Sequence, residues 1–260
     1  MALDEAILES IGTKESLPVL RLYAWEPACL SLGYAQSFSE VDQASLHNHG
    51  WDVVRRPTGG KAILHTDEIT YSVIAPLNEP RLAGGVLESY SNLSKALLRA
   101  LQMLGLSPQA NSIYSTPPEN KGGPVCFEVP SNYEITVNDK KIIGSAQARR
   151  REGILQHGAI PLVGRLDRIT SVLAFQDKTT RDDAARRLLE HATTVESVTG
   201  QIITWQHAAD AFRAAFEEVL NLTFVSDQPT EKELSRTQEL IHQKYGNPSW
   251  TEREYPLKVI

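Results

Sequence analysis

A run of strand patterns in the middle of the chain, followed by a helical stretch, most constrains the fold. The segments YEITV and KKIIGSA flank Asn138-Asp139, and these residue types tolerate the positive φ that a two-residue hairpin turn requires. The segment ILQHGAIPL follows as another strand, whereas from Thr180 onward apolar residues recur at helical spacing. Strands that cluster without alternating with helices predict an α+β domain, with a mixed β-sheet core and flanking helices.

The other segments extend this prediction. Strand patterns also cover residues 17–25, 28–32, 51–56 and 69–76. Helical patterns cover residues 2–11, 86–104, 182–192 and 205–220. The last helix begins with the capping box Thr230-x-x-Glu233 and ends at Gly246, and residues 108–124 predict a loop, a candidate lid. We expect a single domain over residues 1–260, with a helical tail from about residue 229.

Composition limits the classes of function. A chain of 260 residues, 41% of them hydrophobic, is long enough to bury a core. The net charge of -6 and the pI near 5.7 argue against a protein that binds nucleic acid through its overall charge. No apolar run reaches the ~20 residues of a membrane span, and the first ten residues do not resemble a signal peptide. We expect a soluble, cytoplasmic protein without nucleic-acid or membrane partners.

The segment RRPTGGKAILH is the first candidate site. Arg56 and the arginine before it precede the turn Thr58-Gly59-Gly60, and His65 closes the strand that follows. Small residues let a ligand approach backbone N–H groups, and arginines bind phosphate or carboxylate. The segment matches neither the GxxxxGK[ST] phosphate loop nor GxGxxG. A tight hairpin with solvated arginines explains the spacing equally well.

The two cysteines differ in their surroundings. Cys126 comes just after the predicted loop and just before a strand, and Lys141 follows one hairpin later. A thiol must lose its proton to attack a carbonyl, and a nearby cation lowers its pKa, so Lys141 could activate Cys126 if it faces back along the strand. The alternative for Cys126 is a small buried apolar side chain, and this is our prediction for Cys29. A disulfide framework or a four-ligand zinc site is not supported.

The segment GSAQARRREGILQHGAI is the third candidate site. Gly144, Ser145 and Ala146 form a small-residue strand end suited to close packing against an acyl chain, and His157 supplies a polar group. The three consecutive arginines within the segment form either a solvated face or a surface for an acidic protein partner. No GxSxG, HExxH or paired CxxC motif is present, so a serine hydrolase or zinc enzyme is poorly supported and we expect no metal site.

Taken in order, RRPTGGKAILH, CFEVPSNYEI, KKIIGSAQ and ILQHGAI resemble the catalytic domain shared by biotin ligases, lipoate–protein ligases and octanoyltransferases. The resemblance covers nearly the whole chain and implies the biotin/lipoate ligase-like catalytic fold. It is closest to the octanoyltransferases of the LipM type, in which a cysteine followed by F-x-x-P-S-x-Y-E forms an acyl thioester and the lysine of K-x-x-G-S-A lowers its pKa. These positions are Cys126 and Lys141. The resemblance assigns substrate binding to Arg56, Thr58, Gly59, Gly60, His65, Gly144, Ser145, Ala146, His157 and Gly158.

The resemblance also implies partners. Its members transfer octanoyl from acyl carrier protein to a lipoyl-domain protein, the H protein of glycine cleavage, and need no cofactor. ATP-dependent ligases typically carry a third glycine where this chain has Lys61, whose side chain would crowd a loop that approaches adenylate. The basic residues Arg55, Arg56, Lys61 and 149–151 would then steer an acidic carrier protein. An ATP-dependent lipoate–protein ligase, an amidotransferase between lipoyl domains and a non-enzymatic lipoyl-binding module stay open as alternatives.

Overall fold

Two β-sheets and their covering helices make up the structure, a computed structural model that describes residues 1–112 and 133–254. The strands are β1 (Val19–Tyr23), β2 (Cys29–Leu32), β3 (Asp52–Arg55), β4 (Ile63–His65), β5 (Glu68–Ala75), β6 (Gln109–Ser112), β7 (Tyr133–Val137), β8 (Lys140–Arg149) and β9 (Ile154–Pro161). The α-helices are α1 (Ala2–Gly12), α2 (Gln43–His49), α3 (Val86–Met103), α4 (Lys178–His191), α5 (Val195–Thr199), α6 (Trp205–Leu220), α7 (Glu231–Leu240) and α8 (Pro248–Thr251).

The larger sheet has six strands in the order β1-β5-β9-β8-β7-β6, and each neighbouring pair is antiparallel. The smaller sheet has the order β3-β2-β4, with β2 parallel to β3 and antiparallel to β4. The strands on either side of the Glu26-Pro27 junction therefore belong to different sheets. The predicted α+β class, with strands grouped and helices flanking them, is confirmed, and the parallel pairing is confined to the smaller sheet.

The predicted hairpin joins β7 to β8. Asn138 and Asp139 have φ values of 50° and 60°, the left-handed region that a two-residue turn of this kind requires. Thr136 lies opposite Lys141, and the register shifts by one residue between Ile135 and Thr136. The hairpin thus places Lys141 opposite the strand that leads out of the CFEVPSNYEI segment, as the sequence predicts.

Helices α3 and α6 cover one face of the larger sheet. Leu97 of α3 and Phe212 of α6 are fully buried and pack in one cluster with Tyr71 of β5. Helix α1 packs on the opposite face, where Ile7 contacts the cluster around Ile74. Truncating a buried leucine such as Leu97 to alanine typically costs about 2–5 kcal/mol, so this layer fixes the sheet against the helices.

The predicted loop over residues 108–124 is wrong at its beginning. Residues Gln109–Ser112 form β6, which pairs antiparallel with β7 at the edge of the larger sheet. The sequence QANS has no apolar alternation, so its pattern does not predict a strand, and the strand is formed by pairing with β7. The remainder of the predicted loop, with its candidate lid, and Cys126 lie outside the described residues.

The C-terminal helices begin as predicted. Thr230 Oγ1 accepts from the Glu233 N–H at 3.2 Å, and the Glu233 carboxylate accepts from the Thr230 N–H at 2.8 Å, which confirms the capping box. The α-helix ends at Leu240, and a π-helical turn continues to Tyr245 before Gly246. Among the described helices, none is long and apolar enough to cross a membrane.

Arg55 ties the segment after α7 to the smaller sheet. Its side chain is 0% exposed and donates to the carbonyl oxygens of Gly33, Tyr34, Gln36, Trp250, Thr251 and Arg253. In return, the Trp250 indole N–H donates to the Arg55 carbonyl at 2.9 Å. The expected role of Arg55 in steering a carrier protein is wrong, because its guanidinium is enclosed by backbone carbonyls.

Candidate active site

A cleft between the two sheets gathers most of the candidate residues. It encloses about 400 Å³ of empty space, part of it open to solvent. Nine of the ten residues assigned to substrate binding line it, and the tenth, Thr58, contacts one of the nine. The cleft is lined by Tyr23, Trp25, Ser31, Arg56, Gly59, Gly60, Ile63, His65, Thr70, Gly144, Ser145, Ala146, His157, Gly158 and Ala159, together with Met1. Residues almost a hundred positions apart therefore meet at one surface.

Arg56 shapes the turn that borders the cleft. Its guanidinium donates to the carbonyl oxygens of Gly59 at 2.9 Å and Lys61 at 2.6 Å, and it reaches the Ser31 carbonyl on β2 at 3.0 Å. Gly60 has φ 94°, which strongly favours glycine, and the turn packs closely on the smaller sheet. Arg56 is buried, so its expected role in steering is wrong, whereas its position beside the cleft keeps substrate binding as a hypothesis.

The larger sheet supplies the opposite wall. Ser145 pairs with Gly158 and Ala146 pairs with His157, so the small residues lie in the middle of β8 and not at a strand end as expected. A Cβ added at Gly158 would lie 2.6 Å from the Ser145 hydroxyl. This contact requires glycine at 158, because any larger side chain would push β8 away from β9.

His157 is held as a neutral imidazole. Its Nε2 lies 2.6 Å from the Thr58 hydroxyl, and burial lowers the pKa of His157 to about 3, with Arg56 lowering it further against an opposing effect of Asp4. Its Nδ1 has no hydrogen-bond partner within the described chain. A neutral ring at this wall can exchange hydrogen bonds with a ligand but carries no charge at neutral pH.

A second histidine belongs to a buried hydrogen-bonded chain that sequence reasoning missed. His65 Nδ1 lies 2.5 Å from Glu68 Oε1, and His65 Nε2 lies 2.8 Å from the Ser31 hydroxyl. The Trp25 ring stacks on the imidazole with 4.3 Å between ring centroids, and its indole N–H donates to Thr70 at 3.0 Å. The signal in the sequence is the alternation of Glu, Thr and Ser in EITYS, which marks a polar face on β5.

Lys141 lies apart from the residues that line the cleft. Its side chain is buried, and its ammonium lies 3.1 Å from the Glu134 carboxylate of β7. Cys126 lies outside the described residues. Cys29 is buried on β2, and burial raises the pKa of its thiol to about 12, with the Asp52 charge adding to the effect. The prediction that Cys29 is a buried apolar side chain is confirmed.

The three consecutive arginines have separate environments. Arg149 donates to the carbonyl oxygens of Leu82 at 3.1 Å and Gly85 at 3.2 Å, and Arg150 pairs with Glu5 at 2.9 Å. The side chain of Arg151 is 94% exposed. The expected single basic surface is wrong, because two of its members are engaged in contacts within the fold. Over residues 1–112 and 133–254, no group of His, Cys, Asp and Glu side chains could hold a metal ion.

Comparison with known proteins shows the family to which the chain belongs. The family model for the lipoyl protein ligase A/B catalytic domain matches residues 1–217. The octanoyltransferase LipM of Carboxydothermus hydrogenoformans is 37% identical over 251 residues, which cover 96% of this chain and 92% of that protein. The octanoyltransferase LipM of Symbiobacterium thermophilum is 38% identical over 259 residues, which cover 98% and 93%.

Solved structures agree with these sequence matches. The bipartite lipoate protein ligase of Thermoplasma acidophilum, from an archaeal lipoylation system with an E2 lipoyl domain, superposes with a TM-score of 0.77 at 26% identity and covers 100% of this chain and 92% of its own. A lipoate-protein ligase A bound with ATP also has a TM-score of 0.77, at 27% identity, with 96% and 92% covered. These matches confirm the predicted ligase-like fold.

Proposed function

The chain belongs to the LipM octanoyltransferases within the lipoyl protein ligase A/B family, acyltransferases of lipoate biosynthesis, and we propose that it takes its octanoyl group from an acyl carrier protein. The acceptor is a lysine of a lipoyl-domain protein, such as the H protein of glycine cleavage. The observation that carries this proposal is the cleft, in which three of the four ordered sequence motifs contribute small and polar residues to one surface.

The cleft has the character that an acyl chain requires. Gly59 and Gly144 expose backbone, and Ile63, Ala146 and Ala159 supply apolar contacts, so an alkyl chain buried there would leave water at a gain of about 25 cal/mol per Å² of apolar surface. Polar side chains of the lining such as Arg56, His65 and Ser145 are hydrogen-bonded within the protein. This combination favours a flexible apolar ligand with one polar end over a nucleotide.

The reaction we propose has two steps. The Cys126 thiolate attacks the donor thioester, a new carbon–sulfur bond forms, and the donor's carbon–sulfur bond breaks, so that the carrier leaves as its thiolate. The ε-amine of the acceptor lysine then attacks the acyl-enzyme, forms an amide, loses a proton and releases the Cys126 thiol. Neither step requires a nucleotide, because the donor thioester is already activated.

Lys141 is the residue we assign to activating Cys126. Two features support the assignment: its position on the hairpin that follows the cysteine segment, and a buried ammonium that the Glu134 carboxylate accompanies at 3.1 Å. A buried cation near a thiol stabilises the thiolate and lowers the thiol pKa. The ten residues of the cleft and its border, Thr58 included, are assigned to binding the acyl group and the reacting carbonyl.

Intact mass spectrometry after incubation with octanoyl-carrier protein, without ATP, tests the proposal. Wild type should gain one octanoyl group that neutral hydroxylamine removes, and Cys126→Ala should gain none. Cys29→Ala is the matched control, and it should still acylate while losing about 1 kcal/mol of stability. Full transferase activity in Cys126→Ala would exclude the covalent mechanism.

The second candidate is an ATP-dependent lipoate–protein ligase. It is favoured by the fold similarity to a lipoate-protein ligase A bound with ATP. In that case the acceptor would be modified only when ATP and free octanoate or lipoate are both supplied, and octanoyl-carrier protein alone would be inert. The same mass measurement on the acceptor protein therefore separates the two functions.

A further inference from the structure

Glu68 lies behind His65, outside the residues that line the cleft, and its carboxylate starts a hydrogen-bonded chain that ends at the cleft border. We infer that Glu68 is a positioning residue for acyl transfer, acting through His65 and Ser31 on Arg56. This inference rests on the proposed function, because it takes the cleft to be the acyl site. All four side chains are at least nine-tenths buried, so each hydrogen bond in the chain is shielded from water.

The direction of each hydrogen bond follows from the chemistry of the groups. A guanidinium has only donors, so Arg56 Nη1 donates to the Ser31 hydroxyl oxygen at 3.2 Å. The Ser31 proton then goes to His65 Nε2 at 2.8 Å. The imidazole proton therefore resides on Nδ1 and is donated to Glu68 Oε1 at 2.5 Å.

The other protonation states of His65 leave groups unsatisfied. A proton on Nε2 alone would set the bare Nδ1 against a carboxylate oxygen only 2.5 Å away, with two acceptors facing each other. A doubly protonated ring would donate to Ser31 from one side while Arg56 donates from the other, and the Ser31 proton would have no acceptor within the described chain. An unsatisfied buried hydroxyl is costly, so Glu68 fixes the ring's tautomer.

The fixed tautomer matters at the cleft because of what Arg56 holds. The same guanidinium that donates to Ser31 also binds the carbonyl oxygens of Gly59 and Lys61. With the ring proton on Nε2, the Ser31 hydroxyl would accept from both His65 and Arg56, and its own proton would lack an acceptor within the described chain. Rotation of the Ser31 side chain to satisfy that proton would cost Arg56 one of its two contacts to the serine. The turn at Gly59 would then be held less firmly against the acyl site.

Two further contacts keep the carboxylate in place. Thr70 donates to Glu68 Oε1 at 2.5 Å and in turn accepts from the Trp25 indole, whose ring covers the imidazole. Glu68 and His65 are thus fixed from two sides. Such an arrangement is suited to holding one hydrogen-bond direction and not to cycling between two.

Single-turnover acylation of Cys126 by octanoyl-carrier protein tests the inference. Glu68→Met fills a similar volume without an acceptor and should slow acylation by roughly tenfold to a hundredfold, the range expected for losing a charge-assisted hydrogen bond. Glu68→Gln keeps an acceptor oxygen for His65 and should stay within about threefold of wild type. Asp67→Ala is the matched control, since it removes the neighbouring carboxylate, which pairs with Arg168, and should leave the rate unchanged.

A double-mutant cycle separates positioning from general destabilisation. If Glu68 acts through Ser31, the double variant Ser31→Ala/Glu68→Met should be no slower than the worse single variant. Effects that multiply would overturn the inference. Nitrogen-15 NMR of the histidine ring supplies a readout independent of activity. Wild type and Glu68→Gln should both show His65 protonated on Nδ1. Protonation on Nε2 would refute the hydrogen-bonded chain, even if Glu68→Met fails to fold. A wild type that forms no acyl-enzyme would instead contradict the proposed function, while the NMR result still decides the inference.

Discussion

Replacing Arg55 with methionine should destabilise the protein far more than its place in an arginine-rich motif suggests. Methionine is similar in length and keeps most of the packing volume, so the change chiefly removes the five N–H donors of the guanidinium. Six backbone carbonyls surround those donors in the native structure. The experiment therefore measures what the buried cation contributes to folding.

The magnitude follows from counting the carbonyls that would be left. Two of them keep another donor: Gly33 accepts from the Gln36 N–H at 3.1 Å, and Arg253 accepts from the Phe38 N–H at 3.2 Å. The other four carbonyls each lose their hydrogen bond to the guanidinium. At about 1 kcal/mol for each lost hydrogen bond, the loss is about 4 kcal/mol.

Urea unfolding at 25 °C, followed by tryptophan fluorescence, measures this loss. Arg151→Met is the control, because its side chain is 94% exposed and the change should stay within about 0.5 kcal/mol of wild type. Limited proteolysis should also cut Arg55→Met faster between residues 247 and 254, where three of the six carbonyls lie. A free energy of unfolding within about 1 kcal/mol of wild type for Arg55→Met would refute the reasoning.

Three other changes have defined outcomes. Lys141→Ala should raise the thiol pKa of Cys126 toward about 8.5 and slow its alkylation by iodoacetamide near neutral pH, and an unchanged pH profile would remove Lys141 from this role. Folding lowers the pKa of His157 from 6.5 to about 3, so the unfolded protein binds one more proton than the folded protein between these pH values. The free energy of unfolding should therefore decline as the pH drops below about 6.5. Urea titrations at several pH values should show a smaller decline for His157→Gln. Gly158→Ala should cost about 1–3 kcal/mol and weaken octanoyl binding, measured by calorimetry, because the new methyl would meet Ser145; binding equal to wild type would mean that β8 and β9 can separate.

Local signals in the sequence predict the elements that depend on local chemistry. The Asn138-Asp139 turn, the helix Trp205–Leu220 and the Thr230 capping box each lie where the residue pattern places them. The interactions that form the turn, the helix and the capping box join residues at most four positions apart, and the apolar residues of the helix recur at a fixed spacing. Three of the four motifs predict most of the cleft for a different reason: the order of the motifs in the chain resembles a known fold.

Contacts between distant segments explain what the sequence did not predict. Strand β6 depends on pairing with β7, more than twenty residues later. The sequence around Arg55 predicts a surface position. Its burial depends on backbone carbonyls about two hundred residues away in the chain. Glu68 and His65 are three residues apart, but their hydrogen-bonded chain reaches Arg56 only through Ser31 on β2, which lies 34 residues before His65. Sequence patterns do not identify such residues, because part of each network comes from another segment of the chain.

The contacts of Arg55 have a consequence for biosynthesis. A nascent chain emerges from the ribosome in order, so strand β3 is complete long before Trp250 and Thr251 are made. Until then the guanidinium lacks three of its six carbonyl acceptors. It can contact only the turn that begins at Gly33. That turn packs closely, since a Cβ added at Gly33 would lie 1.8 Å from the Gly60 carbonyl oxygen. The acyl cleft should therefore reach its final shape only after Trp250, Thr251 and Arg253 have been synthesised and have packed against β3.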